Sequence, residues 1–248
     1  MGIDSHVQLS RLVIKEFKIS ETNGNTYVLD IPNNSIYEKG PSRIGIIKSY
    51  YDKSTEKYLS DKYETPMGQI IKELKDWEIT DSANLLNEQQ IKVISEFLTV
   101  LFVREPSLID KTVEKTIFAK ALGIKPTPSK FVRLLEKTTL VADFFNNHYP
   151  VVAFNKNERK FISSINGFYV WKDIFNDFNW WFPVTPTIAI HFVGNNFFEK
   201  VYECSSCIEV DAESVEQRNF KMYESAKKAS NQYVFSNDYD ALNTLIEK

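Results

Sequence analysis

The stretch that decides the fold runs from Arg159 to Phe192 and reads RKFISSINGFYVWKDIFNDFNWWFPVTPTIAIHF. It contains three short runs of β-branched and aromatic residues, KFISS, GFYVW and TIAIHF, which are separated by residues that favour turns. Runs of this kind are typical of β-strands. Together with VVAF at positions 151–154, they predict a sheet in the C-terminal part of the chain.

The residues before this sheet are predicted to be mainly helical. From Ile91 to Val103 apolar residues cover almost the whole circumference of a helix, so we expect a buried central helix with Asn87 as its cap. Residues 55–77 have helical spacing around Pro66, which predicts one broken helix or two short ones. Two further helices are predicted over residues 107–122 and 129–147.

The two ends of the chain complete the predicted architecture. Residues 11–19 and 22–31 are predicted to be two strands joined through Asn23 and Gly24, a pair that favours a tight hairpin. A late helix over 212–230 and a strand over 232–236 follow the sheet. The inward residues of that helix are predicted to be Val215, Met222 and Ala226.

This order of elements predicts an α+β protein. It has an N-terminal β-hairpin, a central helical segment, and a C-terminal, mainly antiparallel sheet with a late helix. We expect a single domain over residues 1–248, divided into a hairpin and irregular part (1–53), a helical part (54–148) and a sheet-rich part (149–248).

Composition sets limits on the class of protein. The chain has 248 residues, of which 43% are hydrophobic, 25% charged and 14% aromatic, and its net charge is −3. These values favour a folded, soluble and cytoplasmic protein without a strongly basic surface for nucleic acid or a segment for a membrane. The chain contains no GxSxG, P-loop or GxGxxG motif, which removes the common hydrolase and nucleotide-binding interpretations.

The two cysteines, Cys204 and Cys207, have the CxxC spacing of half a zinc site or of a redox pair. A second pair of metal ligands is missing from the sequence, and we interpret both residues as structural or incidental thiols. No metal site is predicted, and the sequence leaves the cofactor unknown.

Glu64 and Arg104 are the candidate catalytic residues. Each closes a mostly apolar or aromatic segment, where an unpaired charge would be costly. Two interpretations are open. They form an ion pair between helices, or Arg104 faces an anionic ligand while Glu64 binds a metal or transfers a proton.

The candidate ligand-binding residues of the opening stretch are polar or aromatic. Ser163, Ser164 and Asn166 form a polar group within FISSINGF, and Trp180 belongs to an aromatic run that suits either core packing or base stacking.

Several short motifs also occur in an order that resembles a bacterial family known as domain of unknown function 4238. VQLSRLVIKEF matches the family's opening pattern, with Arg11 in register, and Glu64 and Arg104 fall at its acidic and Arg-x-Pro positions. FISSING, FPVTP, Asn219 and YVFS follow in the family's order. The resemblance therefore extends over almost the whole chain and adds Arg11 and Asn219 to the candidate ligand-binding residues.

The chain also departs from the family pattern at polar positions. The family's opening His falls at Val7, and an Asp and a Pro of its polar turn fall at Ile165 and Gly167. Because isoleucine can neither bind a metal nor transfer a proton, these replacements favour a site that binds over one that catalyses. The family carries no established activity that could be transferred.

Three functions remain open. The first is a binding or interaction protein with another protein as partner, for example in phage-host conflict. The second is a metal-dependent nuclease or phosphodiesterase that uses Glu64, Arg104 and acids near Asp173. The third is a binder of nucleotides or single-stranded nucleic acid that stacks bases near Trp180.

Overall fold

A computed structural model describes residues 6–7, 11–44, 46–47, 53–80, 86–103, 148–228 and 232–247. Arg104 and the helices predicted over 107–122 and 129–147 lie outside the described residues. Among the helices of the described ranges, none is both long and apolar enough to cross a membrane.

The strands are short, and most of them lie in the second half of the chain. They are β1 (His6–Val7), β2 (Thr26–Asp30), β3 (Ser35–Lys39), β4 (Ile46–Ile47), β5 (His148–Phe154), β6 (Ser163–Ser164), β7 (Tyr169–Lys172), β8 (Phe178–Pro183), β9 (Ile188–Gly194), β10 (Cys207–Glu209) and β11 (Tyr233–Ser236).

The helices flank these strands in the chain. They are α1 (Arg11–Glu16), α2 (Lys53–Leu59), α3 (Thr65–Thr80), α4 (Glu88–Val103), α5 (Asn195–Lys200), α6 (Ala212–Lys228) and α7 (Tyr239–Ile246). A 3-10 turn covers Pro41–Arg43, and a π-helical segment, Ser60–Glu64, joins α2 to α3.

The strands form two main sheets and a small pair. The five-stranded sheet has the order β10-β5-β9-β8-β7, the four-stranded sheet has the order β3-β2-β11-β6, and β1 pairs with β4. Within the described residues, β10 and β5 are parallel and the other pairs are antiparallel. The predicted α+β class, with a mainly antiparallel C-terminal sheet and a late helix, is confirmed.

The central strands of both main sheets are buried on both faces, because their residues alternate between two apolar cores. On β8, Trp180 and Phe182 belong to the core that contains residues of α1, α3 and α4, and the Phe182 ring lies 5.9 Å from that of Phe97. Trp181 belongs to the opposite core, which contains residues of α6 and α7. The sheets therefore form a middle layer between two helical layers.

The first predicted strand is wrong, since residues 11–16 form helix α1. Val13, Ile14 and Phe17 are buried together, a spacing that fits one face of a helix and not the alternation of a strand. The N-terminal hairpin lies later in the chain. It consists of β2 and β3 with a turn that ends at Asn34, whose φ is 49°. This hairpin joins the later sheet because β2 pairs with β11.

The central helix and the late helix are confirmed. Asn87 Oδ1 accepts a hydrogen bond from the Gln90 backbone N–H at 2.9 Å, and Gln90 Oε1 accepts one from the Asn87 N–H at 2.8 Å. This reciprocal arrangement is a capping box, and it fixes the start of α4. The inward residues predicted for α6, Val215, Met222 and Ala226, are buried.

Candidate functional site

The stretch FISSINGF is a corner of the four-stranded sheet. Strand β6 ends at Ser164, whose carbonyl accepts a hydrogen bond from the Gly167 N–H at 2.9 Å. Gly167 has a φ of 81°, which favours glycine at this position of a turn. Ile165, the apolar residue of this turn, is 1% exposed and packs in the core.

The serines of this corner point to opposite faces of the sheet. Ser163 pairs with Phe235 and Ser164 pairs with Val234, and cross-strand partners share a face. Both serines are buried, and the Ser163 hydroxyl has no hydrogen-bond partner in the described structure. The two hydroxyls therefore do not line one common site.

Asn219 lies beside the same segment and holds its backbone. Its Oδ1 accepts a hydrogen bond from the Ile162 N–H at 3.0 Å, and its Nδ2 donates to the Lys160 carbonyl at 2.9 Å. Since Asn219 is 3% exposed, its amide joins α6 to the sheet and does not face solvent.

The other predicted site residues lie apart from this corner. Trp180 is 6% exposed and its ring lies 5.3 Å from that of Phe168, on the sheet face opposite α6. Glu64 is half-buried at the end of the π-helical segment, and Arg11 begins α1. Asn166 is half-buried in the turn after β6. The pairing of Glu64 with Arg104 involves a residue outside the described ranges.

The most distinctive group of side chains lies between the five-stranded sheet and α6. We call it the cationic-aromatic cluster, and its members are Tyr169, Trp171, Trp181, His191, Tyr202, Arg218 and Lys221. The strand register brings the aromatic members together, because Trp181 on β8 pairs with Tyr169 on β7 and with His191 on β9.

Arg218 occupies the centre of the cluster. Its guanidinium carbon lies 4.5 Å from the Trp171 ring centroid and 4.7 Å from that of Trp181. Its Nη1 donates a hydrogen bond to the Tyr169 hydroxyl at 3.4 Å, and its positive charge opposes the rise that burial causes in the pKa of Tyr202. Contacts of a cation with aromatic faces are favourable, but they do not neutralise the charge.

Lys221 adds a second positive charge one helical turn later. Its Nζ lies 5.2 Å from the Trp171 ring centroid, and burial together with Arg218 lowers its pKa. Within the described ranges, neither Arg218 nor Lys221 forms an ion pair. The cluster therefore presents two neighbouring cations without a carboxylate partner from those ranges.

His191 forms the buried floor of the cluster. It is stacked on Trp171 with ring centroids 5.0 Å apart, and its Nδ1 lies 2.7 Å from the Tyr202 hydroxyl. Burial, with Arg218 and Lys221 as secondary causes, holds its pKa well below 6.5, so the imidazole is neutral. The tautomer of His191 sets which of the two groups donates in its hydrogen bond with Tyr202.

Burial also keeps the phenols of the cluster neutral. It raises the pKa of Tyr169 to about 12, and it raises the pKa of Tyr202 as well. At neutral pH the ionised groups of the cluster are therefore its two cations.

Sequence reasoning missed Arg218, Lys221 and Tyr202. The sequence of α6 contains a sign of an unpaired cation, because no acidic residue lies three or four positions from Arg218. The neighbouring pairs Arg159 with Glu216 and Lys227 with Glu224 show that other cations near this helix are neutralised.

A metal site is not apparent in the described part of the chain, where no group of three or more His, Cys, Asp or Glu side chains could hold an ion. Cys204 and Cys207 are free thiols, and burial raises the pKa of Cys207.

The fold and this cluster define a mixed α+β protein with a cationic, aromatic-lined site between a sheet and a late helix. Residues 9–125 match the family model described as Protein of unknown function (DUF4238), so this part of the chain is similar to that family. The match ends before β5, so the cluster lies outside the matched residues. No curated protein and no solved structure matches the chain.

Proposed function

We propose that this chain is a binding protein whose ligand carries an oxyanion, a phosphate or a carboxylate, held by Arg218 and Lys221. The observation that carries this proposal is that both cations lie over one tryptophan, Trp171, without an ion pair within the described ranges. The net charge of the chain is −3, so this positive site contrasts with the rest of the protein.

Arg218 is preorganised for such a ligand. Its guanidinium is held by two indole rings and the Tyr169 hydroxyl, while a guanidinium has five N–H donors in a planar fork. Donors that Tyr169 leaves unused suit the paired oxygens of a phosphate or carboxylate.

Lys221 places a second positive charge near Arg218, and the repulsion between the two charges is unfavourable. Burial is the main cause of the lowered pKa of Lys221, and the like charge of Arg218 adds to it. An anion between the two cations would relieve this repulsion and raise the pKa of Lys221 again. Binding should therefore weaken as the salt concentration rises.

A nucleotide would bind this site through its phosphate group. Trp171 is half-buried and is already stacked on His191, so the described contacts support recognition of the anion and not of a base. We place the site at Arg218 and Lys221 instead of Trp180, which is buried on the other face.

Tryptophan fluorescence provides the test, because Trp171 and Trp181 contact Arg218 directly. The purified protein is titrated with inorganic phosphate, acetate, adenosine monophosphate and a short oligothymidine. Lys221→Gln should weaken the binding of these anions by about tenfold or more, since a hydrogen bond to a charged group contributes about 1.5–3 kcal/mol.

Lys227→Gln is the control, because Lys227 lies on the same helix and pairs with Glu224. Arg218→Gln should abolish the response, and its melting temperature shows whether the fold is retained. Equal affinities for the wild type and Lys221→Gln, or no response to any of the anions, would refute the proposed function.

A further inference from the structure

A groove of about 380 Å³ lies at the other end of the β7-β8 hairpin from the sheet corner. The residues that line it are His148, Asn176, Asp177, Phe178, Gly194, Asn195 and Asn196. None of them belongs to the cationic-aromatic cluster. The volume lies within the range of about 300–1,000 Å³ that is usual for small-ligand sites.

The hairpin turn that forms one wall is held in a fixed conformation. Asp173 Oδ1 accepts hydrogen bonds from the backbone N–H groups of Phe175 and Asp177 at 2.8 and 3.1 Å. Its Oδ2 accepts one from Asn179 Nδ2 at 2.8 Å. Asn176 has a φ of 64°, the left-handed conformation that asparagine tolerates better than most residues. The wall is therefore preformed and does not depend on a ligand.

The lack of a side chain at Gly194 leaves the space that the Asp177 side chain occupies. A Cβ at Gly194 would lie 2.6 Å from Asp177 Cβ and 2.8 Å from its Oδ2, which is closer than real contacts allow. In the structure, Asp177 Oδ2 instead accepts a hydrogen bond from Asn196 Nδ2 at 3.3 Å. Asp177 Oδ1 forms no hydrogen bond within the described ranges and is left for a donor from a ligand.

The charges around the groove are balanced. The carboxylates of Asp173 and Asp177 supply two negative charges. Lys172 and Lys200, whose Nζ atoms lie 5.1 and 4.9 Å from aromatic ring centroids of the same hairpin, supply two positive charges. The carboxylates disfavour an anion, and the lysines disfavour a cation. A neutral ligand is the best match.

The lining groups also determine which neutral ligand fits. Amides and a carboxylate offer hydrogen-bond donors and acceptors in fixed planes, and each hydroxyl of a ligand can both donate and accept. Phe178 is 43% exposed and adds an apolar aromatic ring to this polar wall. An apolar ligand would leave the polar groups unpaired, at a cost that hydroxyls avoid.

We propose that this groove binds a neutral saccharide of one or two rings, with its hydroxyls on Asp177 and the asparagines and one ring face on Phe178. This site is independent of the anion site, so either proposal can fail without the other.

Nuclear magnetic resonance with ¹⁵N-labelled protein tests the proposal. The probes are glucose, galactose, mannose, N-acetylglucosamine, maltose and lactose, each at up to tens of millimolar. At least one should cause saturable shifts confined to the backbone amides of residues 176–178 and 194–196. Asp177→Asn should weaken that binding by about tenfold or more, because it removes hydrogen bonds to a charged group.

Three comparisons make the outcome decisive. Phe178→Ala should also weaken binding, while Asp61→Asn, which removes a helix carboxylate paired with Lys57, should not. Lys227→Gln, on α6 and outside the groove, should leave saccharide binding unchanged. The proposal is overturned if no saccharide shifts the groove amides, if Asp177→Asn and Phe178→Ala bind as the wild type does, or if phosphate or ethylammonium binds the groove more tightly than every saccharide.

Discussion

Lowering the pH should destabilise this protein through His191. The side chain is fully buried and neutral, and its neighbours in the cluster are two cations and neutral phenols. Its pKa in the folded state is well below the ordinary 6.5, and the main cause is burial. Between pH 6.5 and the folded pKa, the unfolded chain binds a proton at His191 and the folded chain does not. Stability from this group is therefore present above pH 6.5 and is lost as the pH falls toward the folded pKa.

The magnitude follows from the linkage of proton binding to folding. One proton taken up only by the unfolded state lowers the free energy of unfolding by about 1.4 kcal/mol for each pH unit. Over each pH unit between 6.5 and the folded pKa, His191 alone should therefore remove about 1.4 kcal/mol. That is a large share of the roughly 5–15 kcal/mol by which a folded protein is usually stable.

Urea unfolding at a series of pH values measures this effect. His191→Phe removes the titrating group and keeps an aromatic ring beside Trp171, although it loses the bond to Tyr202 and lowers stability at every pH. The difference in unfolding free energy between wild type and variant should shrink as the pH falls. His148→Gln, outside the cluster, should keep the wild-type contribution of His191. An unchanged difference across the acidic range would refute the assignment of His191 as a buried neutral group.

Two further predictions concern stability. Asn219→Ala should lower the free energy of unfolding by about 2–4 kcal/mol, because two buried backbone groups lose their hydrogen-bond partner. Asn243→Ala removes only an exposed hydrogen bond to a glutamate and should cost less than about 0.5 kcal/mol. Equal losses in chemical denaturation would contradict the role of Asn219. In thermal unfolding, Gly194→Ala should destabilise the protein by about 1–3 kcal/mol, because the added carbon clashes with Asp177. Gly24→Ala is the control, because no atom lies within 4 Å of its added carbon, and it should be nearly neutral or slightly stabilising.

The strands of the second half could be predicted because their residues are β-branched or aromatic and are bounded by turns. β8 was missed as a strand, since FNWWFP is aromatic without a break and lacks alternation of polar and apolar residues. The structure explains this pattern, because β8 has helices on both sides and both of its faces are apolar. The strand predicted over residues 11–19 was wrong because RLVIKEF contains β-branched residues, which suit a strand locally. In the structure these residues are buried as one face of α1.

The sequence by itself determined the α+β class, the capped central helix and the inward face of α6, because these depend on residue spacing within single segments. It also showed that the corner FISSINGF contains an apolar residue, Ile165, between its polar ones. Only the tertiary structure decided which side chains meet. Arg218 and Tyr169 are 49 positions apart in the chain and contact each other because α6 packs on the face of β7. Periodicity within a segment carries no information on such long-range contacts, so the cationic-aromatic cluster became visible only in the folded chain.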